Sequence, residues 1–181
     1  MTFGTGLGAG IILNGSLYSG TNGNAGEVGH IRLADDGPVG YGKSGSFEGF
    51  CSGGGIMQLA KTVAEKNGMP EWAKKPYTVA DIADYARAGD KTALEIFELS
   101  GRKLGLGLSV IIDILNPEKI IIGSIYARCR DLLEKPMREV LDLEALSPSA
   151  SVCEITTPKL GESIGDAGAL AVAWEVYNEL Y

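Results

Sequence analysis

One histidine stands in 181 residues, and the three cysteines, Cys51, Cys129 and Cys153, show no CxxC spacing. An odd, unpatterned set of thiols reads as reduced cysteine in a cytosolic protein rather than a disulfide framework. Positive charge is also scarce: 16 Lys and Arg against 23 Asp and Glu give a net charge of -7, with no basic run or basic-aromatic stripe. That balance argues against non-specific binding to nucleic acid or to a membrane surface, both polyanions. Long apolar runs are missing too. The longest, Leu104 to Leu115, is interrupted by Gly105, Gly107, Ser109 and Asp113, and falls short of the about 20 residues a bilayer span needs. Met1-Thr2-Phe3-Gly4 lacks the basic-then-apolar order of a signal peptide, so a cytoplasmic location is expected. With 45% apolar and 22% charged residues, the composition is that of a soluble globular domain.

What the chain has in quantity is glycine, 26 residues concentrated before Gly55. This first part reads as short strands and tight turns. Ile11-Ile12-Leu13, Asn14-Gly15 and Ser16-Leu17-Tyr18 spell a hairpin, because Asn-Gly supplies the positive-φ pair of a type I′ turn. A further strand is predicted from His30 to Leu33. After Gly55 helical spacing takes over. Ile56, Leu59, Ala60 and Val63 mark a helix that Asn67-Gly68 ends. Thr78-Val79-Ala80-Asp81 is a capping box opening a helix through Ala88. Asp90 starts a long helix stopped by Asn116-Pro117, with Leu94, Phe97, Leu104, Leu108, Ile111 and Leu115 on its buried side. Gly105 and Gly107 inside it each cost about 1 kcal/mol against alanine, which implies a neighbour in close approach. Ile120-Ile121-Ile122 reads as a strand buried on both faces. Gly123-Ser124 breaks it before a helix from Ala127 to Leu141. Val152 to Ile155 is a further strand and Asp166 to Leu180 a final helix. The alternation implies an α/β fold, a parallel or mixed sheet covered by helices.

Two segments carry candidate chemistry. Phe3-Gly4-Thr5-Gly6-Leu7-Gly8-Ala9-Gly10 lets backbone N–H groups approach an anion, since glycine lacks Cβ and tolerates positive φ. Gly4-x-Gly6-x-x-Ala9 formally fits a dinucleotide fingerprint, but that motif must open a helix, and a strand follows here. A strand–turn–strand phosphate clamp with a Thr5 hydroxyl and a plain glycine-rich hairpin both remain. In Glu27-Val28-Gly29-His30 and the later Glu48, carboxylates suit vicinal hydroxyls and imidazole both donates and accepts. Sugar ligands and a structural histidine with surface carboxylates are the two readings these residues leave open.

Taken together, the glycine loop, Asn24-Ala25-Gly26-Glu27-Val28-Gly29-His30, Gly42-x-x-Gly45-x-x-Glu48 and Ser52-Gly53 resemble the ROK family of sugar kinases and repressors. Leu115-Asn116-Pro117-Glu118 and Gly165-Asp166-Ala167-Gly168-Ala169 extend the likeness over essentially the whole chain. The resemblance implies an actin-like ATPase, ribonuclease H-like fold and transfer of the γ-phosphoryl group of ATP, with Mg2+, to a hexose or N-acetylhexosamine. It further implies that Gly4, Thr5 and Gly6 form a phosphate-binding loop for ATP. Gly123 and Ser124 fall at the adenosine side, and Glu27, His30 and Glu48 become sugar ligands. A homodimer is the family's common assembly.

Two departures accompany it. Many members bind zinc through the histidine and a C-x-C-G-x-x-G-C-x-E pattern, where this chain has Val39, Tyr41 and Ser46; valine offers no ligand atom, and phenol and hydroxyl substitute poorly for thiolate. No structural zinc is expected, and packing of Tyr41 and Phe47 is expected to hold the loop. The family's Asp-x-Gly turn and its general-base aspartate, which precede the loop, have no counterpart in residues 1–181. The expectation is therefore a single lobe, the C-terminal one of a ROK-type kinase, without a catalytic residue of its own and inactive alone. The sugar-sensing lobe of a ROK repressor is the alternative. A non-catalytic sugar-binding or oligomerisation module is a third reading.

Overall fold

The computed structural model describes residues 1–180. Strands β1 (Thr2–Phe3) and β2 (Leu7–Gly8) flank the glycine turn, and β3 (Ile11–Leu13) and β4 (Ser16–Tyr18) form the expected hairpin. Its Asn14 and Gly15 lie at φ 53° and 81°, both in the left-handed region a type I′ turn demands. The chain then folds through a 3-10 turn, Val28–His30, into a small ribbon, β5 (Val39–Gly40) and β6 (Lys43–Ser44). Helices α1 (Phe47–Phe50), α2 (Gly53–Lys66), α3 (Val79–Arg87) and α4 (Lys91–Leu115) follow. Next come β7 (Lys119–Ile121), β8 (Gly123–Ser124), α5 (Ile125–Arg128), α6 (Arg130–Glu144), α7 (Ser147–Ser151), β9 (Glu154–Thr156) and α8 (Ile164–Leu180).

The sheet topology is mixed. β1 pairs antiparallel with β2 and parallel with β8, while β7 pairs parallel with β9. The helical boundaries follow their side chains. Ser52 caps α2 by accepting the Gly55 N–H, and Thr78 and Asp81 form a reciprocal capping box on α3. Asp90 caps α4, and Asn116 in the left-handed conformation closes it.

The core is built around α4 and α6. A Cβ on Gly105 would lie 2.3 Å from the Met137 carbonyl oxygen, and one on Gly101 2.6 Å from the Pro136 ring. These two glycines, one helical turn apart, let α6 lie directly on the α4 backbone. Gly107 faces another way: the fully buried Phe47 ring occupies the space its Cβ would need.

Several sequence expectations are corrected. The segment His30 to Leu33 is no strand. His30 N–H donates to the Glu27 carbonyl and Ile31 N–H to Val28, closing a tight turn that leaves only an isolated bridge from Arg32 to Ser46. Ile120 and Ile122 are buried, but Ile121 is 45% exposed, so that strand is covered on one face. Leu94 and Leu115 are largely exposed, outside the buried stripe of α4. The predicted helix from Ala127 is two helices, α5 and α6, separated at Cys129 with φ -120° and ψ 26°. Val152 ends α7, and the strand starts two residues later at Glu154. All three cysteines are free and buried; Cys51 Sγ donates to the Ser100 carbonyl, and burial pushes its thiol far above the ordinary range.

Candidate functional site

The glycine loop is held from two directions. The Gly4 N–H donates to the Gly6 carbonyl, and the Gly53 N–H at the start of α2 donates to the Gly4 carbonyl at 2.7 Å. Further along, the Leu7 N–H donates to Glu48 Oε2 at 3.0 Å. None of Gly4, Gly6, Gly8 and Gly10 has a positive φ. What the loop needs from glycine is therefore room. A Cβ on Gly6 would come within 2.8 Å of Glu48 Oε2, and one on Gly4 within 3.3 Å of Ser124 Oγ.

A cleft of about 450 Å³ opens beside this loop, lined by Gly4 and Thr5, Gly53 and Gly54, Thr78 and Val79, and Ser124. Met57, Tyr77, Ile125 and Arg128 complete its wall. The loop, the first turn of α2, the first turn of α3 and the β8–α5 junction thus meet at one cavity. The 14-residue α2 directs the positive end of its dipole there, with backbone N–H groups that favour an anion. Ser124 sits at φ 61° and ψ -123°, a conformation that costs a non-glycine residue about 1 kcal/mol or more. Its hydroxyl accepts from Arg128 at 3.3 Å.

Of the sequence-predicted residues, Gly4, Thr5 and Ser124 line the cleft. Gly6 lies against Glu48 instead, and Gly123 is absorbed in the β1–β8 ladder opposite Thr2. Sequence reasoning gave no place in a binding site to Gly53, Gly54, Thr78, Val79 or Arg128. The run Ser52-Gly53-Gly54-Gly55 ahead of an apolar helix was the available signal, since a cap followed by glycines puts no side chain over the first turn.

Glu27 and His30 are exposed on the turn that packs beside α1, and Glu48 is half-buried on α1. Gly29 separates the two: a Cβ there would lie 3.2 Å from that of Glu48 and 2.3 Å from the Leu7 carbonyl oxygen. Glu48 consequently has a structural duty that the sequence reading did not include. One of its oxygens, Oε2, fixes the loop at Leu7.

The ribbon after His30 is held differently from the expectation. Tyr41 is 89% exposed at φ 44°, with its ring set edge-to-face with that of His30 at 6.3 Å between centroids. Polar contacts do the holding. Lys43 Nζ donates to the His30 carbonyl at 2.7 Å, and Arg32 donates to the Ser44 carbonyl at 2.9 Å. Ser46, where the family's pattern has cysteine, donates its hydroxyl to Gly40 and accepts from the Gly49 N–H. Val39 is tied to Gln58 on α2 through both backbone groups. Phe47 is the buried anchor, as expected. Among the described residues, no group of three His, Cys, Asp or Glu side chains is arranged to hold a metal ion.

The sequence and the fold both match proteins of known class. The ROK family model matches residues 1–176. A glucokinase of Halalkalibacterium halodurans is 33% identical over 99% of this chain and 56% of its own length. The transcriptional dual regulator NagC of Escherichia coli is 31% identical over 78% of this chain and 35% of its own. Among solved structures, a ROK family glucokinase from Streptomyces griseus, in complex with glucose and AMPPNP, superposes with a TM-score of 0.72. It is 28% identical and covers 91% of this chain and 56% of that one. The chain belongs to the ROK family. It spans about half the length of the curated kinases it matches. No helix among the described residues is long and apolar enough to cross a membrane.

Proposed function

We propose that this chain supplies the sugar-contacting and phosphate-contacting half of an ATP-dependent sugar kinase acting on a hexose or N-acetylhexosamine. The observation that carries the reading is the double attachment of one glycine loop. Its Gly4 and Thr5 line the cleft at the start of α2, while Glu48, beside the Glu27–His30 turn, grips its Leu7 N–H. A phosphate acceptor and a phosphate donor need adjacent seats, because phosphoryl transfer is mainly a matter of positioning and charge stabilisation.

In this reading the cleft holds ATP, with Gly4, Thr5 and the Gly54 N–H in the first turn of α2 toward its phosphates. Gly4, as glycine, and the strained Ser124 leave the backbone open where a Cβ would crowd the Ser124 hydroxyl. ATP supplies the transferable phosphoryl group. Gly6 and Gly123 keep the loop and its parallel neighbour in register. Glu27, His30 and the free oxygen of Glu48 hold sugar hydroxyls, and Glu48 couples sugar occupancy to the loop through Leu7. Mg2+ would enter with the nucleotide, since the described residues offer no chelating cluster of their own. No residue of this chain is assigned as the base that takes the sugar proton, so the chain alone is expected to bind without turnover. A cytoplasmic dimer remains part of the proposal on family grounds.

Calorimetry with AMPPNP, glucose and N-acetylglucosamine tests this. We expect AMPPNP binding that Gly4→Val weakens at least tenfold, and sugar binding that Glu27→Gln weakens at least tenfold. Absence of nucleotide binding by a folded chain that still binds sugar would reject the kinase assignment. That result would favour the second reading, a sugar-sensing lobe of a ROK repressor, which the likeness to NagC supports, or a non-catalytic sugar-binding module. A folded chain that phosphorylates a hexose at an ordinary kinase rate would reject the assignment of the base elsewhere.

A further inference from the structure

Tyr41 takes a backbone conformation that suits it poorly and buries little in return. It and Gly42 are the two loop residues of the β5–β6 ribbon, between the pairs Val39–Ser44 and Gly40–Lys43. Both lie at positive φ, 44° and 74°, as in the type I′ turn that favours Asn or Gly at its first position. A bulky side chain in the left-handed region is strained, and a ring that is 89% exposed recovers little of that cost by burial. Among the described residues, the Tyr41 ring meets that of His30, at 6.3 Å between centroids and 79° between planes.

His30 has the complementary need. Its backbone is fixed on both sides: the N–H donates to the Glu27 carbonyl at 3.2 Å, and the carbonyl accepts from Lys43 Nζ at 2.7 Å. The imidazole is exposed and has no hydrogen-bond partner among the described residues, so no polar contact selects its orientation. An imidazole that binds a ligand has to be held in one orientation to donate or accept at a fixed place. A zinc ion does not fit as the holder. Val39 has no ligand atom, and a phenol at Tyr41 substitutes poorly for thiolate. The buried Ser46 hydroxyl already donates to the Gly40 carbonyl and accepts from the Gly49 N–H. The β5–β6 ribbon instead reaches His30 twice, at its carbonyl through Lys43 and at its ring through Tyr41.

We propose that Tyr41 is a positioning residue, whose ring fixes the His30 imidazole in the orientation that meets a sugar hydroxyl. This role rests on His30 being a sugar ligand. Loss of the ring releases the imidazole to other rotamers, and sugar affinity falls while the fold stays intact. Stability moves the other way, because the turn itself prefers Asn to Tyr. A residue kept only for the fold would show both effects with the same sign.

The chain has a single histidine, so its imidazole proton resonances report on His30 alone. Those resonances, the calorimetric affinities for glucose and N-acetylglucosamine, and the thermal midpoint are compared in the parent, Tyr41→Phe and Tyr41→Asn. Tyr41→Asn is expected to move the His30 signals and to weaken binding of the sugar the parent takes by about threefold to tenfold. Its midpoint should equal or exceed the parent's. Tyr41→Phe keeps the ring and should restore both the signals and the affinity. In a His30→Gln background, Tyr41→Asn should change affinity by less than about twofold, since no imidazole remains to be positioned. Unmoved His30 signals overturn the proposal, and so do moved signals with unchanged affinity. An equal loss of affinity in the His30→Gln background overturns it too, and makes Tyr41 a direct sugar contact. A lowered midpoint for Tyr41→Asn assigns the residue to the fold instead. A folded parent that binds neither sugar rejects His30 as a sugar ligand, and the positioning role falls with it. Failure of the positioning role alone is distinct: the parent binds sugar, and Tyr41→Asn binds it equally well.

Discussion

The α4–α6 pair and the β3–β4 hairpin are both rich in apolar side chains but treat them in opposite ways. Along α4, Ile96, Phe97, Leu104, Leu108 and Ile112 are fully buried, and α6 meets them with Leu133 and Met137. In the hairpin, Ile12, Leu13, Leu17 and Tyr18 all face solvent. The first region buries most of its apolar face within this chain: glycines at 101 and 105 bring two backbones together, and only the flanks, at Leu94, Ile114, Leu115 and Leu143, stay exposed among its large apolar side chains. The second is complete only as local hydrogen bonding. Stability therefore resides mainly in the helices, and the hairpin adds little buried apolar surface to it.

The largest expected effect falls on the helical side. Gly105→Ala places a methyl 2.3 Å from the Met137 carbonyl oxygen and 3.0 Å from Val140 Cβ. Alanine gains about 1 kcal/mol of helix propensity, but a backbone carbonyl cannot rotate aside, and α6 must shift. We expect a net loss of about 2 kcal/mol by urea denaturation. A neutral or stabilising outcome would show that the pair is looser than its geometry. The next effect has the opposite sign and sits at the cleft. Ser124→Gly removes a positive-φ penalty and should stabilise the chain by about 1 kcal/mol. AMPPNP affinity should fall at the same time, since the Ser124 hydroxyl lines the cavity. A gain in stability without a change in affinity would make the strain incidental.

How much of this was legible in the sequence tracks the same division. Asn14-Gly15, the Thr78 box, Asp90 and Asn116 announce their turns and caps because the relevant contacts span at most four residues. The close approach at Gly105 was also readable, for a glycine in a helix interior has a cost that needs a reason. Its partner was not, nor was Gly101, because the contact with α6 bridges more than thirty positions. The apolar stripe failed at Leu94 and Leu115 for a related reason: periodicity marks a face, but its ends are buried only where a neighbour reaches that far. At the proposed site, residue type singled out Glu48, and its ligand role came only from the family resemblance. Its bond to the Leu7 N–H had no sequence signal, since any carboxylate oxygen would satisfy the motif. Tyr41 was assigned to packing because aromatic residues usually bury themselves; a turn requiring positive φ overrode that preference.

A smaller effect connects the two halves of the helical body. Arg87 on α3 donates from Nε and Nη2 to both carboxylate oxygens of Asp131 on α6, at 2.8 and 2.9 Å. These bonds hold the Asp131 carboxyl below its ordinary range. A depressed carboxylate contributes fully above its unfolded value, near pH 4, and that contribution disappears as pH falls through the folded one. Asp131→Asn should therefore lower stability at pH 7 and become indistinguishable from the parent in strong acid. Both side chains are about half exposed, so solvent screening keeps the difference under about 1 kcal/mol. A constant gap between the two proteins across the acid range would locate the effect in packing rather than charge.

The smallest expected effect is the most diagnostic of the hairpin. Ile12→Thr retains a β-branched strand former and removes apolar surface from a side chain that is 64% exposed. In a buried strand such a change costs well over 1 kcal/mol, through lost burial and an unsatisfied hydroxyl. Here little burial is lost and water satisfies the hydroxyl, so the shift should stay within about 0.5 kcal/mol. Equilibrium unfolding monitored by circular dichroism measures it against Gly105→Ala in the same buffer. A loss comparable to that of the glycine variant would mean that the hairpin is already covered in solution, by a second chain or by its own neighbours. A near-zero value would show that the hairpin's apolar side chains face water in solution, as their exposure indicates.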